Sequence, residues 1–241
     1  MKNFINKTLA QTLGYHFTKY RLKERQVFEM QRALCRRNRP LIFDVGAYQG
    51  ESVRAYNTYF EGQCQIFSFE PYQTSFESLQ KNVKGMSNVE VFNVALGNEE
   101  AHSELHVNKF AATNSFLPSA AEGIQAWGEH SLGTECVVQV PIRTIDRLVE
   151  EYQIEQIDIL KMDTQGTEHL VLEGAKEAIA QGKIHLLYSE LIVMPIYEGQ
   201  IALDEMLRIF REFGFELYRL FQTMDHKGKL KFMDGIFVYK G

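Results

Sequence analysis

From Pro40 onward, short apolar runs alternate with stretches of about ten or more residues that have helical character. The runs are rich in Ile, Val, Leu and Phe, which is typical of strands buried on both faces. Strands that alternate with helices form βαβ units, so the sequence predicts an α/β fold with a mainly parallel sheet. Right-handed crossovers then place a ligand at the carboxyl ends of the strands.

Seven apolar runs are predicted as strands of this sheet. They cover residues 41–45, 65–69, 89–94, 157–162, 184–191, 215–221 and 230–239. Helices are predicted over residues 51–60, 73–83, 167–182 and 201–213. Residues 108–134 show no clear period, and a structureless loop of that length is uncommon. We interpret them as an active-site insertion, either a cover or a broken helical segment.

The composition is that of an ordinary globular protein, with 45% hydrophobic and 24% charged residues among 241. No apolar run approaches the roughly 20 residues of a membrane span, and polar residues interrupt the N-terminal segment where a signal peptide would be uniformly apolar. The three cysteines, Cys35, Cys64 and Cys136, are an odd and widely spread set. They argue against a secreted disulfide framework and favour a cytoplasmic location.

Basic residues are concentrated in the first 39 positions. This segment carries ten Lys or Arg against two acidic residues, a formal charge of +8, which leaves −13 for the rest of a chain whose total is −5. We interpret residues 1–39 as a basic helical extension and residues 40–241 as the α/β domain. The extension either packs an apolar stripe on the domain or binds an acidic partner or membrane surface. The acidic domain argues against a nucleic-acid partner.

The turn after the first strand reads Asp44-Val-Gly46-Ala47-Tyr48-Gln-Gly50. Glycines four residues apart let the backbone turn sharply and let a ligand approach closely. A dinucleotide site would show G-x-G-x-x-G, which is absent because Tyr48 stands at the second glycine position. Asp44 would repel a diphosphate and instead favours a ligand with an ammonium group. The alternative is a strand-to-helix turn in which the glycines serve geometry alone.

The second strand ends in another carboxylate, Glu70, followed by Pro71. A carboxylate at this position can accept hydrogen bonds from both hydroxyls of a ribose, and Pro71 can pack on an adenine. Val94 and Ala95, at the end of the third strand, would form the other wall of an adenine slot. With Asp44, these residues favour a nucleoside that carries an amino-acid tail, which describes S-adenosylmethionine. For Glu70 alone, the alternative is a solvent-exposed strand end.

Six motifs stand at or beyond the strand ends. They are Ile42-Phe-Asp-Val-Gly-Ala-x-x-Gly50, Phe69-Glu-Pro71, Asn93-Val-Ala-Leu-Gly97, Leu160-Lys-Met-Asp-Thr-Gln-Gly-Thr-Glu168, Tyr188-Ser-Glu190 and Tyr197-Glu-Gly-Gln200. Together they resemble the FkbM-type S-adenosylmethionine-dependent methyltransferases. The resemblance implies a Rossmann-like class I methyltransferase fold, with a seven-stranded mostly parallel sheet, an antiparallel last strand and helices on both faces. It also implies methyl transfer, usually to a hydroxyl of a small metabolite, sugar or glycan precursor, with S-adenosylhomocysteine as product.

Three carboxylates in the second half of the chain are candidate catalytic residues. Asp163 follows the strand at 157–162, where it can contact the cofactor and orient or deprotonate the acceptor hydroxyl; a simple turn residue is the alternative. Glu190 ends the next strand and would face the same cleft, unless it pairs with a backbone amide or Lys161. Glu168 lies in the first turn of the following helix, where a carboxylate is also favoured by the helix dipole.

No metal site is indicated by the sequence. Neither H-E-x-x-H nor a paired C-x-x-C motif occurs. A Mg²⁺ ion would have to use the scattered carboxylates Asp163, Glu168 and Glu190, and carboxylates are too common for this pattern to indicate a cation.

The sequence therefore predicts an S-adenosylmethionine-dependent O-methyltransferase. One alternative is a non-catalytic binding module that keeps the methyltransferase scaffold. The other is an oxidoreductase with a nucleotide cofactor, against which the missing G-x-G-x-x-G motif counts. Titration with S-adenosylhomocysteine and with NAD separates the two cofactor classes.

Overall fold

The computed structural model describes residues 15–226 and 229–241, so the first 14 residues of the predicted extension lie outside the described part. The strands are β1 Leu41–Val45, β2 Gln65–Phe69, β3 Val89–Phe92, β4 Ala95–Leu96, β5 Ala101–Asn108, β6 Thr134–Arg143, β7 Ile157–Met162, β8 Ile184–Ile192, β9 Phe215–His226 and β10 Lys229–Tyr239. The helices are α1 Tyr15–Leu34, α2 Glu51–Tyr59, α3 Gln73–Asn82, α4 Ala121–Trp127, α5 Glu129–Leu132, α6 Ile145–Glu151, α7 Glu168–Glu173, α8 Lys176–Ala180 and α9 Leu203–Glu212, with a 3₁₀ turn at Ala111–Thr113.

Seven strands form one sheet, in the order β3-β2-β1-β7-β8-β10-β9. Neighbours from β3 to β8 pair in parallel, and β10 pairs antiparallel with both β8 and β9. The prediction of a seven-stranded sheet with an antiparallel last strand is therefore confirmed. The strand order reverses between β1 and β7, and in open α/β sheets ligands bind at the carboxyl ends of the strands at such a switch point.

The structure also contains a three-stranded sheet, in the order β4-β6-β5, that the apolar runs do not predict. β5 and β6 pair antiparallel, from Ala101 opposite Ile142 to Asn108 opposite Thr134. Half of the residues of β6 are exposed and only Val140 is buried, so this strand lacks the apolar run that marks a strand buried on both faces. The pairing of β5 with β6 brings together the two ends of residues 108–134.

Helices cover both faces of the large sheet. One face packs against α6 to α9 through a core that includes Phe43 and Phe210. The other packs against α1 to α3 through Ile42, Phe28 and Tyr56. The ring of Phe28, on α1, meets that of Tyr56 edge-on at 4.8 Å, so the described part of the extension packs on the domain. Within the described ranges, no helix combines the length and the apolar character that crossing a bilayer requires.

The single helix predicted over residues 167–182 is divided into α7 and α8. The break follows Gly174, whose carbonyl accepts a hydrogen bond from the amide of Asp146 at 2.9 Å. The Asp146 carboxylate in turn accepts from the amides of Glu177 at 3.0 Å and Ala178 at 2.8 Å. A carboxylate that caps free amides starts a new helix. Because this cap comes from α6, the helical pattern of residues 167–182 gives no sign of it.

A buried ion pair joins the two central strands at the switch point. Asp44 and Lys161 are neighbours in register on β1 and β7, and Lys161 Nζ lies 3.0 Å from Asp44 Oδ1. The ammonium also donates to the carbonyls of Gly46 at 2.8 Å and Val45 at 3.3 Å. Burial lowers the pKa of Lys161, but the carboxylates of Asp44 and Asp163 raise it more, so the pKa lies above its ordinary value.

The variant Lys161→Met would leave the Asp44 carboxylate buried without its cation. We expect the free energy of unfolding to fall by about 3–5 kcal/mol, because removing one partner of a buried pair leaves an uncompensated charge. Urea unfolding followed by circular dichroism measures the loss. Lys176→Met, at an exposed lysine of α8, is the control and should change the same free energy by less than about 0.5 kcal/mol. Equal losses in the two variants would contradict the structural role of the pair.

Candidate active site

A cavity of about 620 Å³ opens at the carboxyl edge of the large sheet, around the switch point. Its walls come from the segments that follow β1, β2 and β7, from β8 and β10, and from residues 110–112 and 114–116. The lining includes Gly46, Ala47, Tyr48, Glu70, Pro71, Ala95, Phe110, Ser115, Lys161, Asp163, Gln165, Tyr188, Glu190 and Asp234. Ligand sites of small molecules have volumes of about 300–1,000 Å³, so the size suits a cofactor and a small acceptor.

Gly46 allows the segments after β1 and β7 to approach each other. Its φ is +74°, and a Cβ placed on it would lie 1.9 Å from the carbonyl oxygen of Asp163. Only glycine is compatible with that approach. Gly46 and Ala47 line the cavity, whereas Gly50, the second glycine of the predicted turn, precedes α2 and lies outside the lining.

Asp44 lies beneath the cavity and does not line it. Its Oδ1 pairs with Lys161, and its Oδ2 accepts a hydrogen bond from the hydroxyl of Ser52 at 2.6 Å. Asp44 stands within β1 and not after it, so its side chain points between the sheet and α2. The position of Asp44 therefore does not support the predicted direct contact between its carboxylate and the ammonium group of a ligand. Asp44 instead forms an ion pair with Lys161.

Glu70 follows β2 at the cavity wall, and only 7% of the residue is exposed. Its Oε2 accepts from the amide of Tyr48 at 2.8 Å, and its Oε1 from the amide of Tyr72 at 2.9 Å. Burial raises the pKa of Glu70 to about 7, against the opposing effect of these amides and of Lys161. Each carboxylate oxygen has a second lone pair, so Glu70 can also accept hydrogen bonds from a ligand.

The wall beside Glu70 is apolar. Pro71 and Ala95 line the cavity there, and the side-chain amide of Asn93 fixes the turn by donating to the carbonyls of Glu70 at 2.9 Å and Pro71 at 3.1 Å. Val94 lies outside the lining and packs on the core of the sheet. Of the predicted ribose and adenine contacts, the structure brings together Glu70, Pro71 and Ala95 but not Val94.

Two of the predicted catalytic carboxylates, Asp163 and Glu190, lie at the part of the cavity away from Glu70, where both contact the side chain of Gln165. Gln165 Nε2 lies 2.8 Å from Asp163 Oδ1 and 2.8 Å from Glu190 Oε2. Asp163 follows β7, its side chain is 38% exposed, and its Oδ2 lies 3.9 Å from Lys161 Nζ. Asp234, on β10, lines the same part of the cavity. We call the region formed by Asp163, Glu190 and Asp234 the acidic end.

Glu190 has an environment that favours its protonated form. Burial raises the pKa of Glu190 well above its ordinary value, and the carboxylates of Asp163, Asp234 and Glu168 raise it further, while Lys161 opposes them. Asp163, by contrast, is partly open to solvent. Two carboxyl groups in different environments at one site are suited to different tasks, one as a donor and one as an acceptor of a proton.

Glu168, the third predicted catalytic carboxylate, lies under the loop that follows β7. Its Oε1 accepts hydrogen bonds from the amide of Thr164 at 2.8 Å and from the hydroxyl of the same residue at 3.0 Å. Glu168 is 2% exposed and lies outside the lining of the large cavity. Its position supports a role in holding the loop and gives no support to the predicted catalytic role.

Phe110 and Tyr188 line the cavity but were not predicted as site residues, although Phe110 lies in the predicted insertion 108–134 and Tyr188 in the motif Tyr188-Ser-Glu190. The ring of Phe110 is 50% exposed and lies 6.3 Å from that of Tyr48 at the mouth of the cavity. Tyr188, on β8, is hydrogen-bonded to Asp234. Gln165 also stands inside a motif. Its position as a polar residue between the end of a strand and a glycine is the sequence signal that could have indicated a site residue.

The residues present fit S-adenosylmethionine. Glu70 offers a carboxylate to ribose hydroxyls beside the apolar surface of Pro71 and Ala95, and Gly46 and Ala47 line the same cavity. In the part of the chain that the structure describes, no three His, Cys, Asp or Glu side chains converge as ligands of a metal ion would.

Known proteins show similarity to this chain in sequence. The family model of the Methyltransferase FkbM domain matches residues 44–217. The chain is also 25% identical over 178 residues to the 2-O-methyltransferase NoeI of Sinorhizobium fredii (strain NBRC 101917 / NGR234), and the alignment covers 72% of each protein.

Solved structures show a more distant similarity. The fibrillarin of Aeropyrum pernix, in complex with S-adenosyl-L-methionine, superposes with a TM-score of 0.47 at 9% identity, over 83% of this chain and 66% of that one. A SAM-dependent methyltransferase of Aquifex aeolicus gives 0.46 at 11% identity, over 89% of each chain.

The family match extends from β1 into β9 and thus covers well over half of the sequence. It confirms the resemblance carried by the strand-end motifs. The chain therefore belongs to the FkbM methyltransferase family and is an S-adenosylmethionine-dependent methyltransferase.

Proposed function

We propose that this enzyme transfers the methyl group to a hydroxyl oxygen of a small metabolite, sugar or glycan precursor. The observation that carries the proposal is the pair of carboxyl groups, Asp163 and Glu190, that share the acidic end in different environments. A hydroxyl keeps its proton at neutral pH, so transfer to oxygen calls for a group that accepts this proton. The relative NoeI is named as a 2-O-methyltransferase, which supports oxygen as the acceptor atom.

The two carboxyl groups divide the work on the acceptor. S-adenosylmethionine, when bound, supplies a methyl group that is already activated, so the protein mainly positions the acceptor and handles its proton. Asp163 takes the proton of the reacting hydroxyl. Glu190, whose pKa burial and the neighbouring carboxylates raise well above its ordinary value, donates a hydrogen bond to a neighbouring hydroxyl of the same acceptor.

The opposite side of the cavity holds the cofactor in this proposal. Glu70 accepts hydrogen bonds from both ribose hydroxyls, and Pro71 and Ala95 pack on the adenine. Gly46 and Ala47 approach the amino-acid tail through their backbone. These assignments are supported by the position of the five residues, since all of them line the same cavity and Glu70 is the buried carboxylate among them.

Residues 108–134 form a cover over the acidic end in the same proposal. Residues 110–112 and 114–116 line the cavity, and the hydroxyl of Ser115 donates to the carbonyl of Gln165 at 2.8 Å. Loops that border a site commonly determine what it binds, so this segment is proposed to select the acceptor.

The basic extension offers an additional contact surface. Arg36, Arg37 and Arg39 follow α1 and are exposed. Clustered positive charge attracts anionic surfaces, so we propose an acidic partner or membrane surface as the target of this segment.

The raised pKa of Glu70 predicts that binding of S-adenosylhomocysteine depends on pH. Ribose hydroxyls donate to the ionised carboxylate and so lower its pKa from about 7 in the free enzyme, where Lys161 and Asp44 are the nearest charges. Binding therefore releases a proton, and affinity rises as the pH increases through about 7. In Glu70→Ala, affinity should fall at least about tenfold and the proton release should disappear. Titration calorimetry in buffers of different ionisation enthalpy measures both effects.

Glu77→Ala is the matched control for this experiment. Glu77 is an exposed carboxylate of α3 outside the cavity lining, so its removal should leave affinity and proton release unchanged. If Glu70→Ala binds S-adenosylhomocysteine as tightly as the parent, the ribose assignment is wrong.

The role of Asp163 predicts that Asp163→Asn lowers turnover without losing the cofactor. A screen of sugar nucleotides and polyhydroxylated metabolites, with and without Mg²⁺, first supplies an acceptor. With it, kcat should fall by about 10²–10⁴-fold, the usual contribution of a general base, while the affinity for S-adenosylhomocysteine changes by less than about tenfold. Asp204→Asn, at an exposed position of α9, should behave as the parent enzyme. Equal turnover in Asp163→Asn and the parent would exclude Asp163 as the base.

A further inference from the structure

Gln165 has an unusual backbone conformation at the centre of the acidic end. Its φ is +57°, in the left-handed region that residues other than glycine seldom occupy. The carbonyl oxygen of Gln165 accepts the hydroxyl hydrogen of Ser115 at 2.8 Å. The conformation directs the side chain of Gln165 between Asp163 and Glu190, where it lines the cavity.

The side-chain amide of Gln165 uses all of its polar atoms within the protein. Nε2 carries two hydrogens, and its two neighbours at 2.8 Å are carboxyl oxygens of Asp163 and Glu190. Oε1 lies 2.8 Å from the hydroxyl of Tyr197. Since nitrogen must face the two acceptors, Oε1 faces the hydroxyl, and Tyr197 is the donor of that hydrogen bond.

Tyr197 is itself firmly held. The residue is 2% exposed, and its hydroxyl also lies 2.9 Å from the carbonyl oxygen of Thr113. Burial raises the pKa of Tyr197 well above its ordinary value, so the hydroxyl stays protonated. Its single hydrogen is shared between Gln165 Oε1 and the carbonyl oxygen of Thr113, which also accepts from the side-chain amide of Asn108 at 2.7 Å. The amide of Gln165 therefore has one supported orientation.

We propose that Gln165 is a positioning residue that holds Asp163 and Glu190 in a single arrangement, and that Tyr197 fixes the amide which does so. This proposal rests on the proposed function in one respect, namely that the two carboxyl groups contact the acceptor. The arrangement of hydrogen bonds is a separate claim, and it can be tested in the enzyme without any acceptor.

The effect of the Gln165 amide can be measured through the pKa of Glu190. Glu190 is faced by Asp163 after β7, Asp234 on β10, Glu168 on α7 and Lys161 on β7. An N–H donor stabilises the ionised form of a carboxyl group. The amide therefore limits how far burial and the three neighbouring carboxylates raise the pKa of Glu190.

The test is a pH titration of the Glu190 side-chain carboxyl in the full chain, followed by ¹³C NMR. Gln165→Met keeps the length of the side chain and removes both N–H donors. The midpoint for Glu190 should rise by about one to two pH units, the equivalent of one hydrogen bond to a charged group. Tyr197→Phe should raise it less, since the amide remains but loses its anchor. In the double variant, the midpoint should match that of Gln165→Met alone, because Tyr197 acts through Gln165.

Gln153→Met is the matched control. Gln153 is an exposed glutamine with a φ of +52°, so this variant repeats the substitution in the same backbone conformation away from the cavity, and the Glu190 midpoint should not move. An unchanged midpoint in Gln165→Met overturns the proposal, as does a further rise in the double variant. Should Gln165→Met fail to fold by circular dichroism, the midpoint in Tyr197→Phe decides, and no rise there overturns the proposal. None of these readouts involves turnover, so they stand apart from a failure of the proposed hydroxyl transfer.

Discussion

The buried ammonium of Lys161 is the interaction around which the site is built. It binds the Asp44 carboxylate at 3.0 Å and the carbonyl of Gly46 at 2.8 Å, and it lies 3.9 Å from Asp163. A charge that is so little exposed is stable only with such partners. They fix the ends of β1 and β7 relative to each other. Gly46 and Ala47, which line the cavity, follow the end of β1, and Asp163 follows the end of β7.

Burial explains why much of the fold can be predicted from the sequence. A strand covered on both faces leaves an apolar run, as in residues 157–162, and each of the seven runs became a strand of the large sheet. Parallel strands share one carboxyl edge, so residues at the ends of different runs meet there. For this reason Glu70, Asp163 and Glu190 line one cavity although they are far apart in the chain.

The remaining features depend on side-chain direction and on contacts between distant segments. Asp44 is the fourth residue of β1, and strand alternation turns it beneath the cavity. The small sheet comes from the pairing of half-exposed strands that have no continuous apolar run. Tyr197 meets Gln165 across 32 positions of sequence. A contact of this kind leaves no local pattern, so the motif that contains Gln165 could be noticed while the function of its glutamine could not.

The central claim is that one cavity at the switch point receives the cofactor on its β2 side and the acceptor at its acidic end. A crystal structure with S-adenosylhomocysteine is the most direct test of this claim. The account predicts both ribose hydroxyls within hydrogen-bond distance of Glu70, the sulfur directed toward Asp163, and the pair of Lys161 with Asp44 intact beneath them. A nucleoside bound elsewhere, or a ribose turned away from Glu70, would contradict it.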